Sequence, residues 1–475
     1  MKKRIIFSLV WLLVFSGAAV GQARPQENGL AGIWQGVLQL PGAELRIVFR
    51  INQNPDGTWQ ALLDSPDQGA KDIPTSKVVV ENERLLIEVQ VVAGAFAGKI
   101  KADFSEIAGQ WQQAGLEIPL LLKKTDRVQS PNRPQEPKKP YAYLEEEVSY
   151  ENPAAAIKLA GTLTLPPLKG PFPAVLLITG SGQQDRDETV MGHKPFWVLA
   201  DYLTSRGIAV LRVDDRGVGG SGGDPALATS LDFSSDVLAG IAYLKSRREI
   251  DPGRIGLIGH SEGGLIAPLA AVKNAKDVAF IVLMAGPGIV GEDILLLQGK
   301  LINKANGASA SDIARDNAQQ KTMFRILKEE KDEAAIEARL RQAMKDAMAQ
   351  IPAAEQKKLP PALQEASLKM IMSPWFRFFL TYDPRPTLGK VTCPLLAING
   401  EKDLQVPAAE NLKAIAEALQ AGGNEKFMVK KLPGLNHLFQ TAQSGSPSEY
   451  AGIEETIAPA ALQLIGDWIL ESTAK

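Results

Sequence analysis

One serine stands in a sequence setting that could make it a nucleophile. Residues 259–263 read GHSEG, with Ser261 at the centre and a glycine two positions away on either side. The apolar residues 255–258 are typical of a short buried strand, and the apolar run after the motif is typical of a helix. Strand, abrupt turn and helix form the context of a G-x-S-x-G nucleophile elbow, where glycines avoid collisions between strand and helix. A serine hydroxyl needs a base to take its proton, so the motif requires such a base elsewhere in the chain.

A second match to the same pattern provides an internal comparison. Residues 219–223 read GGSGG around Ser221, but Asp224 and Pro225 follow instead of a helical pattern. The mechanism depends on the strand-turn-helix context. We therefore interpret Ser221 as a loop residue and Ser261 as the candidate nucleophile.

The search for a base is short because the chain has only three histidines. His260 adjoins Ser261 and is expected to point elsewhere. His193 precedes a predicted helix, where a loop or capping role is favoured over catalysis. His437 follows the last predicted strand and is the only histidine after Ser261. In hydrolases with this motif the chain order is serine, acid, histidine, so His437 alone can complete it.

The acid that would orient this imidazole is predicted on the loop 399–407, which follows the preceding strand. That loop contains Glu401 and Asp403. Asp403 is favoured because it stands before the next helix, the usual position of this acid. Glu401 remains the alternative.

The developing negative charge of an attacked carbonyl needs two preorganised backbone N–H donors, the oxyanion hole. One donor would be Glu262, the residue after the nucleophile. The other is expected from the loop after the predicted strand 174–179, at Ser181 or Gly182. The charged residues 185–187 are expected mainly to hold this loop by ion pairs.

The elements that would position these residues follow from hydrophobic periodicity. From residue 141 to 475 predicted strands and helices alternate, which indicates a mainly parallel sheet with helices on both faces. Between about residues 288 and 386 only amphipathic helical patterns occur, which predicts a helical cap insertion. Residues 28–125 show short β-branched runs between turns, typical of a small all-β barrel or sandwich. The proline-rich residues 126–140 are predicted to be a linker.

The amino terminus and the overall charge bear on location and partners. Residues 1–23 combine a basic start, a short apolar run and small residues, which predicts a signal peptide. We expect an exported protein, periplasmic or secreted, without stable membrane insertion after cleavage. The net charge of −2 gives no indication of nucleic-acid binding. No clustered His, Cys and Asp pattern suggests a metal site, so no metal and no cofactor are predicted.

Three motifs together carry a family resemblance. Residues 179–188 read TGSGQQDRDE, residues 213–221 read VDDRGVGGS, and residues 256–264 read GLIGHSEGG. They resemble secreted bacterial α/β-hydrolases of the serine-aminopeptidase-like, esterase-containing branch, over roughly residues 145–472. The resemblance implies the α/β-hydrolase fold, a Ser261–Asp403–His437 triad and hydrolysis of carboxylic esters, typically with short acyl chains. Family members with an N-terminal β domain are also similar, and they imply no defined role for that domain.

We therefore expect a serine hydrolase that cleaves small-molecule carboxylic esters through an acyl-enzyme intermediate. A serine aminopeptidase or oligopeptidase is the main alternative, because the fold alone does not set the substrate. A dinucleotide-dependent enzyme is less favoured, since the GVGGSG of residues 217–222 does not open a helix. A non-catalytic binding protein is also less favoured, because such a protein would be expected to have lost part of the triad.

Overall fold

The protein is described from a computed structural model that covers residues 29–40, 43–68, 70–113, 116–128, 131–351 and 361–474. The predicted signal peptide, residues 1–23, lies outside these ranges. Within them, no helix is both long enough and apolar enough to cross a membrane.

The N-terminal part of the described chain forms one antiparallel sheet. Its order is β4-β3-β2-β1-β9-β8-β7-β6-β5, and no strand pairing joins the edge strands β4 and β5 in the described residues. The strands are β1 (Gly32–Leu40), β2 (Ala43–Gln53), β3 (Trp59–Ser65), β4 (Ala70–Pro74), β5 (Lys77–Glu81), β6 (Arg84–Val89), β7 (Gly94–Ile100), β8 (Glu106–Gln113) and β9 (Leu116–Thr125).

This sheet curls around a single apolar core. Alternate residues of β6 (Leu85, Ile87 and Val89) face inward, as expected of a strand with one buried face. Trp34 and Trp111 are fully buried in the same core. The result is a half-barrel. Of the two predicted forms, the structure favours the barrel, because a sandwich needs two packed sheets and the described residues form one continuous sheet.

The second sheet has the order β10-β11-β13-β12-β14-β15-β16-β17, and only β11 runs against its neighbours. All seven residues of β12 are buried, as expected of a parallel strand covered on both faces. This arrangement confirms the predicted α/β-hydrolase fold. The strands are β10 (Leu144–Asn152), β11 (Ile157–Leu165), β12 (Phe172–Ile178), β13 (Ala209–Val213), β14 (Ile250–His260), β15 (Phe280–Met284), β16 (Leu395–Gly400) and β17 (Phe427–Leu432).

Helices cover both faces of this sheet and form the cap. The helices are α1 (Pro195–Ser205), α2 (Ser230–Ser246), α3 (Gly263–Lys273), α4 (Gly291–Ala305), α5 (Ala310–Glu329), α6 (Glu333–Ala349), α7 (Pro361–Met372), α8 (Pro374–Thr381), α9 (Arg385–Leu388), α10 (Ala408–Ala421) and α11 (Pro459–Ser472). Helices α2, α3 and α10 bury one face of the sheet, and α1 and α11 bury the other. Helices α5 to α8 share a separate apolar core, which is the core of the predicted cap.

The proline-rich segment between the two sheets is docked by its polar side chains. The Arg133 guanidinium donates hydrogen bonds to four carbonyl oxygens on two separate segments of the part that contains the second sheet: Met191, Gly192, Ala451 and Ile453. The Gln135 side chain bonds the backbone of Thr456 and Ile457. This segment therefore contributes to the stability of the fold and does not act only as a spacer.

We predict that Arg133→Ala lowers the free energy of unfolding by about 2–4 kcal/mol, because four partly buried carbonyls lose a charged donor. Denaturant unfolding of the full chain measures this change. The matched control is Arg248→Ala, since the Arg248 side chain is 94% exposed. Equal stability of the two variants would contradict the docking role.

Candidate active site

Ser261 lies at the turn between β14 and α3, with a backbone φ of +51°. A positive φ is uncommon for a residue with a side chain and marks local strain. The flanking glycines make the turn possible. A Cβ at Gly263 would lie 2.1 Å from the carbonyl oxygen of Ile178, and one at Gly259 would lie 2.0 Å from that of Gly263. The Ser261 N–H is fixed by a 2.8 Å hydrogen bond to the Met284 carbonyl.

The structure brings His437 and Asp403 together. The His437 Nδ1 lies 2.8 Å from Asp403 Oδ2, and both side chains are buried. The other oxygen, Oδ1, accepts the N–H groups of Gln405 and Val406, which holds the carboxylate in place. Because Asp403 accepts the Nδ1 proton, the neutral imidazole has its lone pair on Nε2, the form that a general base needs.

Glu401, the alternative acid, has different partners. Its Oε2 accepts the N–H of Gly434 at 3.1 Å, and Oε1 lies 3.8 Å from Lys431 Nζ. In the described structure it makes no contact with His437. The geometry therefore favours Asp403.

The imidazole of His437 lies beside the elbow. Its ring centroid is 4.9 Å from that of His260, the residue preceding Ser261. Neither the Ser261 hydroxyl nor His437 Nε2 makes a hydrogen bond to any residue that the structure describes. Hydrogen bonds between nucleophile and base commonly tighten only when substrate binds.

The loop that follows β12 lies against the nucleophile. A Cβ at Gly180 would be 3.2 Å from that of Ser261, and the Gly180 N–H is already bonded to Glu188 Oε1 at 2.7 Å. Among the described residues, the N–H groups of Ser181, Gly182 and Glu262 have no acceptor. The sequence predicts the oxyanion donors among these three N–H groups: Glu262, and either Ser181 or Gly182.

Buried charged groups hold this loop. Asp215 accepts hydrogen bonds from the Thr179 hydroxyl at 2.7 Å and the Gln184 N–H at 2.9 Å. Burial raises the pKa of Asp215 well above its usual value. Arg186 makes a bidentate contact with Asp214, with N–O distances of 3.1 and 2.7 Å. Residues 185–187 therefore have the loop-holding role that was predicted for them.

The side chain of Glu262 connects the elbow to the cap. Its carboxylate accepts the Trp375 indole N–H of α8 at 2.8 and 2.9 Å, and the Ser230 hydroxyl at 2.6 Å. Burial outweighs these hydrogen bonds and raises the pKa of the Glu262 carboxyl. The sequence indicated a role for the Glu262 backbone only. The side-chain contact to Trp375 spans 113 positions, so no local pattern could reveal it.

The other two histidines and the second serine have other partners. The ring nitrogens of His260 contact Glu188 and the His437 carbonyl and not the Ser261 hydroxyl, as expected, and the ring also lies against that of His437. His193 is buried between Thr456 and Tyr450, and burial lowers its pKa to about 4. The hydroxyl of Ser221 donates to the Asp214 carbonyl at 2.7 Å, as expected of a loop residue.

Comparison with known families decides the assignment. The model of the X-Pro dipeptidyl-peptidase family (S15) matches residues 156–431, more than half of the chain. The chain belongs to this family. The α/β-hydrolase part of the sequence resemblance is thereby confirmed, and the coarse class, a hydrolase, is supported. Export and the family resemblance of the N-terminal β domain remain predictions.

Individual relatives of this S15-family chain are distant. Esterase EstD of Thermotoga maritima is 27% identical over 309 residues, which cover 65% of each chain. The putative hydrolase YtaP of Bacillus subtilis is 34% identical over 118 residues, which cover 21% of this chain and 38% of YtaP. The chain thus spans less than two thirds of the length of both. The structure of Est1E from Butyrivibrio proteoclasticus with ferulic acid matches at 16% identity and a TM-score of 0.40, covering 69% of this chain and 100% of that one.

We predict that Asp403→Asn lowers the kcat of this S15-family chain by about four orders of magnitude, because the imidazole would lose its oriented tautomer. Steady-state hydrolysis measures this effect. Glu401→Gln is the matched control and should change kcat little. If Glu401→Gln caused the large loss and Asp403→Asn did not, Glu401 would be the acid.

Proposed function

We propose that the chain is a serine hydrolase that cleaves carboxylic esters, with Ser261 as nucleophile, His437 as base and Asp403 as the orienting acid. The observation that carries this proposal is the buried 2.8 Å contact between His437 and Asp403 beside a serine in a positive-φ elbow. Export to the periplasm or the medium is part of the proposal and rests on the pattern of residues 1–23.

In the proposed reaction, His437 Nε2 takes the proton of the Ser261 hydroxyl as its oxygen attacks the ester carbonyl carbon. The carbonyl π electrons move to the oxygen, which becomes an oxyanion. The Glu262 N–H and the N–H of Ser181 or Gly182 stabilise this charge. Asp403 stabilises the imidazolium that forms.

The tetrahedral intermediate then collapses. The bond to the alkoxy group breaks, and that group leaves as the alcohol with the proton from His437. Water next attacks the acyl-enzyme with His437 again as base. The acid product leaves, and Ser261 regains its proton. Every group in this cycle belongs to the protein, the ester or water, so the proposed cycle calls on no cofactor or metal.

The ester preference is supported by the similarity to esterase EstD and by the cap. Helix α8 lies over the elbow, where Trp375 stacks on Phe379 with ring centroids 5.8 Å apart. Phe379 belongs to an apolar cluster with Leu265 and Leu269 of α3. An apolar contact between the cap and α3, the helix that follows Ser261, favours a small apolar acyl group. A peptidase is the second candidate, because the matching family is described as an X-Pro dipeptidyl-peptidase.

The test is a panel of nitrophenyl esters of increasing acyl length beside aminoacyl and X-Pro nitroanilides. We expect turnover to be highest for short esters and to be abolished in Ser261→Ala. The matched control is Ser221→Ala, which changes the other G-x-S-x-G serine and should retain most of the activity. Preference for the X-Pro anilides would replace the esterase by a peptidase, and activity retained in folded Ser261→Ala would overturn the nucleophile.

A further inference from the structure

His260 has acceptors at both ring nitrogens. Its Nδ1 lies 2.8 Å from Glu188 Oε1, and its Nε2 lies 3.1 Å from the carbonyl oxygen of His437. A carbonyl oxygen can only accept, so Nε2 must carry a proton. We take Glu188 as an ionised carboxylate, because its Oε1 also accepts the Gly180 N–H; an ionised carboxylate only accepts, so Nδ1 then carries a proton as well. An imidazole with protons on both nitrogens is a cation.

The surroundings of His260 favour this charge. Glu188 and His260 are both buried, and Glu188 Oε2 has no partner in the described part of the chain. Asp403, which lies behind His437, adds negative potential at His260. Asp215 lies close to Glu188 and Glu262, and burial raises the pKa of both Asp215 and Glu262, which favours their neutral forms. A buried imidazolium is the cation that the Glu188 carboxylate requires, since buried charges persist only when paired.

The pKa of His260 is raised from its ordinary value. Burial alone would lower it, but the charge and the hydrogen bond of Glu188, with a smaller contribution from Asp403, outweigh burial. The cation is thus retained to a higher pH than in a free imidazole. It is lost as the pH rises through this raised pKa, and the stabilisation that it provides is lost over the same interval.

The pair contacts both halves of the candidate active site. Glu188 Oε1 also accepts the Gly180 N–H at 2.7 Å, which anchors the loop that carries Ser181 and Gly182. His260 binds the backbone of His437 itself. One carboxylate oxygen and one imidazole therefore join the segment of the base to the oxyanion loop.

We propose that His260 and Glu188 form a buried ion pair that positions the base and the oxyanion loop relative to each other. They are positioning residues and do not touch the reacting atoms. The kinetic part of this inference rests on the proposed function, whereas the charge state of His260 does not.

The first test measures the charge state by NMR of the full chain with ¹⁵N-labelled histidine. The chain has only three histidines, so His260→Gln and His193→Gln spectra assign the signals. We expect His260 to be protonated at both nitrogens at pH 7.5, and its pKa to fall in Glu188→Gln, where the amide accepts the same hydrogen bonds without a charge. A neutral His260 at this pH would overturn the ion pair.

The second test measures nitrophenyl acetate hydrolysis by Glu188→Gln and Glu188→Ala. We expect kcat to fall by about tenfold to a hundredfold in Glu188→Gln and further in Glu188→Ala, with KM changed less than about threefold, because misplacement of about 1 Å costs about a hundredfold in rate. The matched control is Thr204→Val, which removes a buried hydroxyl bonded to Thr164 at 2.6 Å, away from this site. It should lower the melting temperature and leave kcat unchanged.

The outcomes separate the two hypotheses. Absence of Ser261-dependent turnover in the wild type would overturn the proposed function and with it the positioning role, while the NMR result would still decide the ion pair. Turnover in the wild type together with an unchanged kcat in both Glu188 variants would overturn the positioning role alone. The positioning role is supported if Glu188→Gln lowers kcat at unchanged KM and if no change of pH restores the lost activity.

Discussion

The backbone of Ser261 is held in a left-handed conformation at the end of β14, and the candidate active site is arranged around that constraint. The conformation is costly for a residue with a side chain, so surrounding contacts must impose it. They include the 2.8 Å bond from the Ser261 N–H to the Met284 carbonyl on the adjacent strand. Gly263 lies so close to the end of β12 that no larger residue fits there. Among the described residues, the Glu262 N–H at the start of α3 has no acceptor, and a helix N-terminus is a position that favours negative charge.

Buried carboxyl groups are the second recurring feature. Each of them joins segments that are distant in sequence: Asp403 to the loop of His437, Asp215 to the oxyanion loop, and Glu262 to the cap. A buried carboxylate is costly unless several donors satisfy it, and each of these groups has at least two. The cost favours one arrangement of the loops over alternatives in which these groups would be unsatisfied. The precision of the site therefore comes from side chains that take no part in bond making.

The sequence predicted the parts of this structure that have local or periodic signals. The alternation of strands and helices predicted the parallel sheet, and the purely helical stretch predicted the cap. The chain order of Ser261, Asp403 and His437 predicted three residues that lie near the turn between β14 and α3 in the structure. Contacts that depend on the tertiary fold could not be predicted. Glu188 and His260 are 72 positions apart, and no periodicity relates them. The only sequence signal for Glu188 was its place at the end of the motif of residues 179–188. Strand patterns in the β domain likewise do not determine whether the edge strands meet, so the half-barrel could not be distinguished from the sandwich.

The most direct test of the central claim is a crystal structure of the protein after reaction with a fluorophosphonate, whose tetrahedral phosphorus imitates the reaction intermediate. The account predicts a bond from phosphorus to the Ser261 Oγ. It also predicts that the phosphoryl oxygen accepts hydrogen bonds from the Glu262 N–H and from the N–H of Ser181 or Gly182. An adduct on another residue, such as Ser221, or a phosphoryl oxygen turned away from these N–H groups would contradict it.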